Sequence, residues 1–438
     1  MLKESTELSM ISVQNHQQPL SGNKRLYAYA VAITLLLGAC SPKTRVLRSP
    51  DLNAGNVGNT SPKTEQPEEA GDVKATTNMA ARKAEAARNS IALVLPFQLD
   101  RISAANLSKE DIDRSSIALD FYQGFQLGLD ELAEKGRSFS LQVVDSRNNE
   151  QYTQAIATSD ELQGAALVVG PVFPKEISAF GTGFANKNVL QINPLAASRP
   201  QEFSLPNLVS LTPSIDAHRE ALAKRVADDY RQGDLVLIYN TNDDNSRQLL
   251  NGFETELKRQ RPDLEVRVVT TIEELNEQMH VTGTNRIVAG TTDKFQLRAF
   301  ISNLETKSLE ELCTFRVYGH PLWDRIDFSI YKEFANFQPV ITAESHLAAN
   351  TKVARDFIDS YASLYGIAPS DHAYKGYDAA RYFGNLLAKY GDSYKDHITE
   401  TTFEGLFSNY QFDYHDGWGF LNNAISFKRY KGTSFQQQ

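Results

Sequence analysis

Several polar and aromatic side chains follow apolar runs that read as strands, where an α/β protein places the groups that meet a ligand. Asn242 and Asp243 follow Leu235-Val-Leu-Ile-Tyr239, Thr291 to Asp293 follow Arg286-Ile-Val-Ala-Gly290, and His320 and Trp323 follow Phe315-Arg-Val-Tyr-Gly319. A carboxylate at Asp243 or Asp293 could meet an ammonium group, or be solvated as loop acids usually are. The Trp323 indole suits stacking on a sugar or apolar ligand, and equally suits plugging an interface between lobes. Lys175 opens a helix after Gly170-Pro-Val-Phe-Pro174. A helix N-terminus and an ammonium both favour an anion; a solvated first-turn lysine is the plainer alternative.

Groups for covalent chemistry do not converge. The chain has no Gly-x-Ser-x-Gly elbow, no Walker A loop and no Gly-x-Gly-x-x-Gly after its first strand. Gly181-Thr-Gly183 lacks the third glycine, and the eight histidines show no His-x-x-x-His spacing. Tyr414-His-Asp416 reads as a turn, and Asn240 to Asn245 lacks the glycine and distal glutamate of a calcium loop. Of the two cysteines, Cys313 sits in Glu-Leu-Cys-Thr-Phe and reads as a buried small hydrophobe. No catalytic residue, metal site or cofactor is expected, and the chain reads as a non-enzyme. A net charge of −9 argues against nucleic acid, whose phosphates call for a basic face.

The elements positioning these groups alternate. Ile91-Ala-Leu-Val-Leu-Pro-Phe97 is a continuous apolar run of the kind buried in a parallel sheet. Ala118, Phe121, Tyr122, Phe125, Leu129, Leu132 and Ala133 then keep one helical stripe, which Gly136 ends. Strands at Ser140–Asp145, Ala165–Gly170 and Val189–Asn193 alternate with helices near 152–163 and 175–186. A second round starts after Pro213, with helices at 216–230, 246–260, 272–279 and 294–306. Its strands are expected at 235–239, 264–269, 286–290 and 315–319. Two long helices follow between Lys352 and Tyr390, then a β-rich stretch from Gly417 to Tyr430. The pattern predicts an α/β fold of two doubly wound lobes with a cleft between them as the default binding site.

The first ninety residues read as address and tether. Lys24 and Arg25 precede an apolar run, Leu26 to Ala39, that is shorter than the roughly 20 residues a bilayer span needs. It ends Leu37-Gly38-Ala39-Cys40, which resembles the bacterial lipobox, so residues 1–40 are expected to be a lipoprotein signal with Cys40 diacylated. Two acyl chains anchor stably. Residues 41–89 are almost free of large apolar side chains and read as a disordered tether of about 35–45 Å reach, with an Ala-rich short helix at 79–88.

Phe121-Tyr-Gln-Gly124, Val143-Val-Asp145, Val168-Val-Gly-Pro171, Asn193-Pro-Leu-Ala-Ala-Ser198, Tyr365-Gly366, Gly376-Tyr-Asp-Ala379 and Gly417-Trp-Gly419 stand in one order along residues 91–430. In that order they resemble the type I periplasmic solute-binding proteins of the branched-chain amino-acid binding family. The opening strand and Asp120-Phe-Tyr-Gln-Gly124 look closer to a cell-wall branch that includes lipoprotein activators of peptidoglycan synthases. The resemblance implies a first lobe of residues 91–212 plus 344–412 and a second of 213–343 plus 413–438, hinged near Thr212, Ala343 and Phe412. It also implies a carboxylate held by first-lobe hydroxyls and N–H groups. Ser198 matches the second such loop, whereas Gly170–Pro174 lacks the expected hydroxyl, which weakens the expectation of an amino acid. The implied function is a lipid-anchored, periplasm-facing module of the cell envelope that captures a small polar ligand, with an ABC transporter permease as partner. The alternative is a protein–protein module regulating a peptidoglycan synthase through a vestigial cleft.

Overall fold

The computed structural model describes residues 43–47, 69–103, 106–310 and 313–438. Strand β1 (Lys43–Leu47) and helix α1 (Glu69–Arg88) precede the first β-α round. That round comprises β2 (Ser90–Leu95), α2 (Lys109–Glu134), β3 (Phe139–Asp145), α3 (Glu150–Ala157), α4 (Asp160–Gln163), β4 (Leu167–Val169), α5 (Pro174–Gly183), β5 (Leu190–Asn193) and β6 (Leu208–Ser210). The second comprises α6 (Ile215–Asp229), β7 (Leu235–Tyr239), α7 (Asp244–Leu250), α8 (Phe253–Gln260), β8 (Val266–Val269), α9 (Ile272–Gln278), β9 (Thr284–Ala289), α10 (Lys294–Glu310), β10 (Thr314–Gly319) and β11 (Val340–Ala343). The chain then returns through α11 (Lys352–Tyr365), α12 (Asp371–Tyr390), β12 (Phe403–Glu404), β13 (Asn409–Tyr410), β14 (Phe412–His415) and β15 (Gly419–Asn422). It ends in β16 (Ser426–Tyr430) and β17 (Phe435–Gln437).

Two sheets result, each the centre of one α/β lobe. The first runs β1-β3-β2-β4-β5-β6-β15-β14 and the second β17-β16-β11-β10-β9-β7-β8. Apart from β1, β14, β16 and β17, neighbours within each sheet pair parallel. Parallel strands need both faces covered, and Ile91 to Leu95 of β2 are accordingly buried throughout.

Helices α2 and α12 cover the first sheet together and approach unusually closely. A Cβ on Gly124 would overlap the Ala373 carbonyl, and one on Gly376 would overlap the Phe121 carbonyl. Two of the sequence marks, Phe121–Gly124 and Gly376–Ala379, are thus the two sides of one contact. The second lobe has an aromatic core in which Trp323, Phe328, Phe334, Tyr430 and Phe435 pack ring on ring.

The structure departs from the sequence expectations in four places, the first being the helix expected near 152–163, which breaks at residues 158–159 into α3 and α4. The hinge expected at Phe412 lies later: β14 and β15 stay with the first sheet, Phe420 pairing with Val209, and the chain crosses at residues 423–425. The helix expected over 246–260 breaks at Gly252, which has φ +80. Within the stretch expected as a tether, β1 pairs antiparallel with β3 and α1 runs for 20 residues. Helix α1 ends with Ala86 buried and the Asn89 amide donating to the Ser138 carbonyl at 3.0 Å, which ties this end to the lobe. The signal segment and Cys40 lie outside the described residues.

Candidate ligand cleft

The carboxyl ends of the parallel strands carry loops shaped by their own side chains. Asp145, ending β3, accepts N–H bonds from Gln98, Leu99 and Arg147 at 3.0, 2.8 and 2.8 Å, so it folds the loop after β2. Asn193, ending β5, closes its loop with two bonds to the Ala196 backbone, at 3.0 and 2.8 Å. These two marks of the resemblance are therefore loop-building residues. Just beyond, Ser198 is half-buried on the same loop, and Arg199 grips Asp216 of α6 from the other lobe at 2.8 and 3.2 Å.

The other residues named from the sequence separate into surface, cap and core. Lys175 is exposed in the first turn of α5; its neighbour Glu176 is the buried one, accepting from the Asn149 N–H and the Thr153 hydroxyl. Asp243 caps α7 through the Ser246 N–H at 3.0 Å, and Asp293 caps α10 through the N–H groups of Phe295 and Gln296, both 2.9 Å. Asn242 is exposed in the left-handed region at φ +58, a turn position asparagine tolerates. Thr291 is fully buried, and its carbonyl accepts the Trp323 indole N–H at 2.8 Å. Trp323, also 0% exposed, lies flat over Gly319, where a Cβ would enter its ring. The stacking role considered for Trp323 is thereby excluded: its ring is a core side chain and its one donor is already used.

What the fold gathers at the hinge is a group of histidines and charges from distant parts of the sequence. Lys375 on α12 of the first lobe meets Glu344, at the end of β11, at 2.7 Å. Burial pushes the Glu344 carboxyl up, but the positive charges of Lys375 and Arg325 outweigh it and hold the group below its ordinary range. Burial drives His218 down to about 4, His320 to about 3 and His372 to about 4, so all three are neutral at pH 7. His218 Nδ1 lies 2.9 Å from the Thr342 hydroxyl. The His320 tautomer follows from its contacts: Nδ1 accepts the Leu322 N–H at 3.1 Å, so in the neutral ring Nε2 carries the proton. That Nε2–H is buried and, among the described residues, has no acceptor. His372 Nδ1 is likewise buried without a partner. A cavity of about 10 Å³ lies beside Glu344 and Lys375, lined also by Thr212, Ser408 and Tyr410. That is room for one water. Of this group the sequence pointed only to His320, at a strand end; His218, Glu344 and the α12 residues His372 and Lys375 lie far apart along the chain and carry no local spacing signal. Among the described residues, no three His, Cys, Asp or Glu side chains are placed to hold a metal.

No protein-family profile matches the chain, and no curated protein does. Solved structures do. A putative branched-chain amino acid ABC transporter from Rhodospirillum rubrum is 16% identical, with 80% of this chain and 99% of that one covered, at a TM-score of 0.58. An ABC transporter substrate-binding protein from Desulfitobacterium hafniense is 18% identical over 80% and 99%, at 0.53. The LpoA C-domain from Haemophilus influenzae, a regulator of PBP1A, is 15% identical over 80% and 99%, at 0.50. The fold is that of the type I periplasmic binding proteins. At these identities the likeness speaks for architecture alone.

In type I terms, the three chain crossings of this protein are cross-linked. The Asn422 amide donates to the carbonyls of Leu211 and Asn409, both at 2.9 Å, and its oxygen accepts from Gln411 and Ala424 at 3.0 and 3.1 Å. Asp378 gathers the N–H groups of Leu406, Phe407 and Ser408 at 2.7, 2.8 and 2.8 Å. The loop so held bonds to the middle crossing, the Phe407 carbonyl accepting the His346 N–H at 2.8 Å. Described helices include none long and apolar enough to cross a membrane.

Proposed function

We propose that the chain is an envelope-tethered binding module that captures a small polar ligand between its lobes. The observation that carries this is the His320 Nε2–H, a buried donor without an acceptor among the described residues, in a group where His218 faces both His320 and Glu344. A buried polar group left unpaired costs about 1–3 kcal/mol, which a ligand acceptor would recover. Lys375 and Glu344 hold each other at 2.7 Å, so an amino-acid-like ligand would bind by exchanging that pair for its own carboxylate and ammonium, with Arg325 adding positive charge nearby. A Desulfitobacterium hafniense protein of this fold was solved in complex with Leu. Diacylation at Cys40 would hold the module at the membrane, facing the periplasm beside a transporter permease. Closure requires that the ligand favour the closed form; tight binding alone shifts nothing. Native mass spectrometry of residues 41–438 tests the reading. A small molecule should be retained by the wild type and lost from His320→Ala; retention by neither sinks it.

A second reading has its own support. Trp323 and Thr291 are spent on the lobe core, and the hinge cavity holds only one water. A module that regulates a cell-wall synthase needs no open cleft, and LpoA, of the same fold, is named a regulator of PBP1A. Specific pull-down of such a synthase, with no small molecule retained, would favour this second role.

A further inference from the structure

On the second lobe, away from the cleft, four arginines converge on a cavity of about 190 Å³. Its lining is Arg225 and Asp229 of α6, Arg286 of β9, Arg316 and Tyr318 of β10, Gln338, Val340 of β11 and Arg429 of β16. Arg286 and Arg316 lie near the amino ends of their strands, at the edge opposite the hinge group. They are register partners, two like charges directly across a parallel pair, an arrangement that weakens a sheet. Val340 is in register with both Tyr318 and Arg429, which brings the last arginine onto the same patch.

The carboxylates nearby do not balance these charges. Arg286 is paired with Asp234 at 2.7 Å and donates to the Tyr318 hydroxyl at 3.0 Å. Arg225 is paired with Asp229 at 2.9 Å, which also accepts the Tyr318 hydroxyl at 2.9 Å. Among the described residues, no acceptor meets the Arg316 guanidinium. Arg429 donates once, to Gln338 at 3.3 Å, and its buried Nε has no partner. Four guanidiniums against two carboxylates leave two positive charges, both on the arginines with open donors. Burial, Arg429 and Arg286 together disfavour the charged form of Arg316. Guanidinium does not deprotonate in proteins, so the remaining remedy is an anion. Arginine's planar fork matches phosphoryl oxygens two at a time.

We propose that this pocket binds a phosphoryl dianion, as inorganic phosphate or as the phosphate group of a small ester, held between Arg316 and Arg429. The charge matches two for two, and the cavity far exceeds the roughly 10–15 Å³ that one water occupies. The lining comes from the second lobe alone, so phosphate binding there is read separately from anything bound in the cleft.

The test is calorimetric titration of the detergent-solubilised full chain with inorganic phosphate, with glycerol 3-phosphate and with sodium chloride at matched ionic strength. Saturable one-to-one binding of at least one phosphoryl ligand is expected, weakened at least tenfold by Arg316→Gln and by Arg429→Gln. Lys224→Gln, which removes a charge from an exposed pair on α6, should leave it unchanged. Preference for glycerol 3-phosphate would assign the site to an ester, and equal affinity to phosphate itself. Relief of repulsion should also raise the ligand-free melting temperature of Arg316→Gln above wild type, so the two arginine variants can be judged even if one folds poorly. Absence of saturable binding, equal competition by chloride, or undiminished binding in both variants would overturn the proposal.

Discussion

At the scale of single residues, the hinge depends on hydrogen bonds that span crossings. Asn422 is 1% exposed and joins the first and last crossings through four bonds. Replacing it by alanine strands the carbonyls of Leu211 and Asn409 and the N–H of Gln411 in the interior. Asn422→Ala should therefore cost about 2–4 kcal/mol, read as a lower urea midpoint at unchanged slope; a loss below about 0.5 kcal/mol would show the crossings are held by other means. The hinge imidazoles set a pH dependence. Their folded values lie below the ordinary 6.5, so between pH 6.5 and about 4 the unfolded chain binds more protons than the folded one. Stability is thus full above pH 6.5 and is lost as pH falls toward 4. For His218 the displacement corresponds to about 3 kcal/mol. Melting temperature followed from pH 7.5 to 4.5 should fall, and His218→Gln should fall less steeply; parallel slopes would remove the imidazole from the account.

At the scale of elements, the α2–α12 contact decides whether the first lobe forms. Ridges of large side chains normally keep helix axes about 8–10 Å apart, and here Gly124 and Gly376 let backbone meet backbone. Gly376→Val should abolish cooperative unfolding by circular dichroism. Gly164→Ala, at a site with nothing within 4 Å, is the matched control and should melt within a degree or two of wild type. This contact also shows how far a sequence can be read. The helical stripe Phe121, Phe125, Leu129 and the continuous run Ile91–Leu95 announce their elements because periodicity is local and burial enforces it. The glycines were visible as marks, but not that they face one another. The allegiance of β14 and β15 was hidden for the same reason, since Phe420 finds its partner Val209 across some two hundred intervening residues. Trp323 was ambiguous because a ring at a strand end fits cleft or core. Gly319, four residues earlier, is the local clue, since its missing Cβ makes room for the ring. Of the hinge histidines, His320 was marked by its strand end, whereas His218 and His372 sit on helices with no such clue.

At the scale of the molecule, each lobe is assembled from discontinuous segments, so the last residues of the chain complete a core begun two hundred residues before. Strand β16 pairs with β11 over Val340–Ala343, and Tyr430 and Phe435 close the aromatic cluster around Phe328 and Phe334. Removing residues 424–438 takes away both strands and two large buried rings, each worth about 1.5–3 kcal/mol by area. It also uncovers β11 as an apolar edge, a template for unwanted pairing. A domain stable by about 5–15 kcal/mol does not survive the combined loss. The first lobe retains Asn422 and all eight of its strands. Scanning calorimetry of the truncated chain should show the second lobe's transition gone and the first lobe's still present at lower temperature. If both lobes melted as in the full chain, the C-terminal strands would be dispensable, and the second lobe's core would have to be complete without Tyr430 and Phe435. If neither lobe melted cooperatively, the crossings would be doing more than hinging: they would make the two lobes one folding unit.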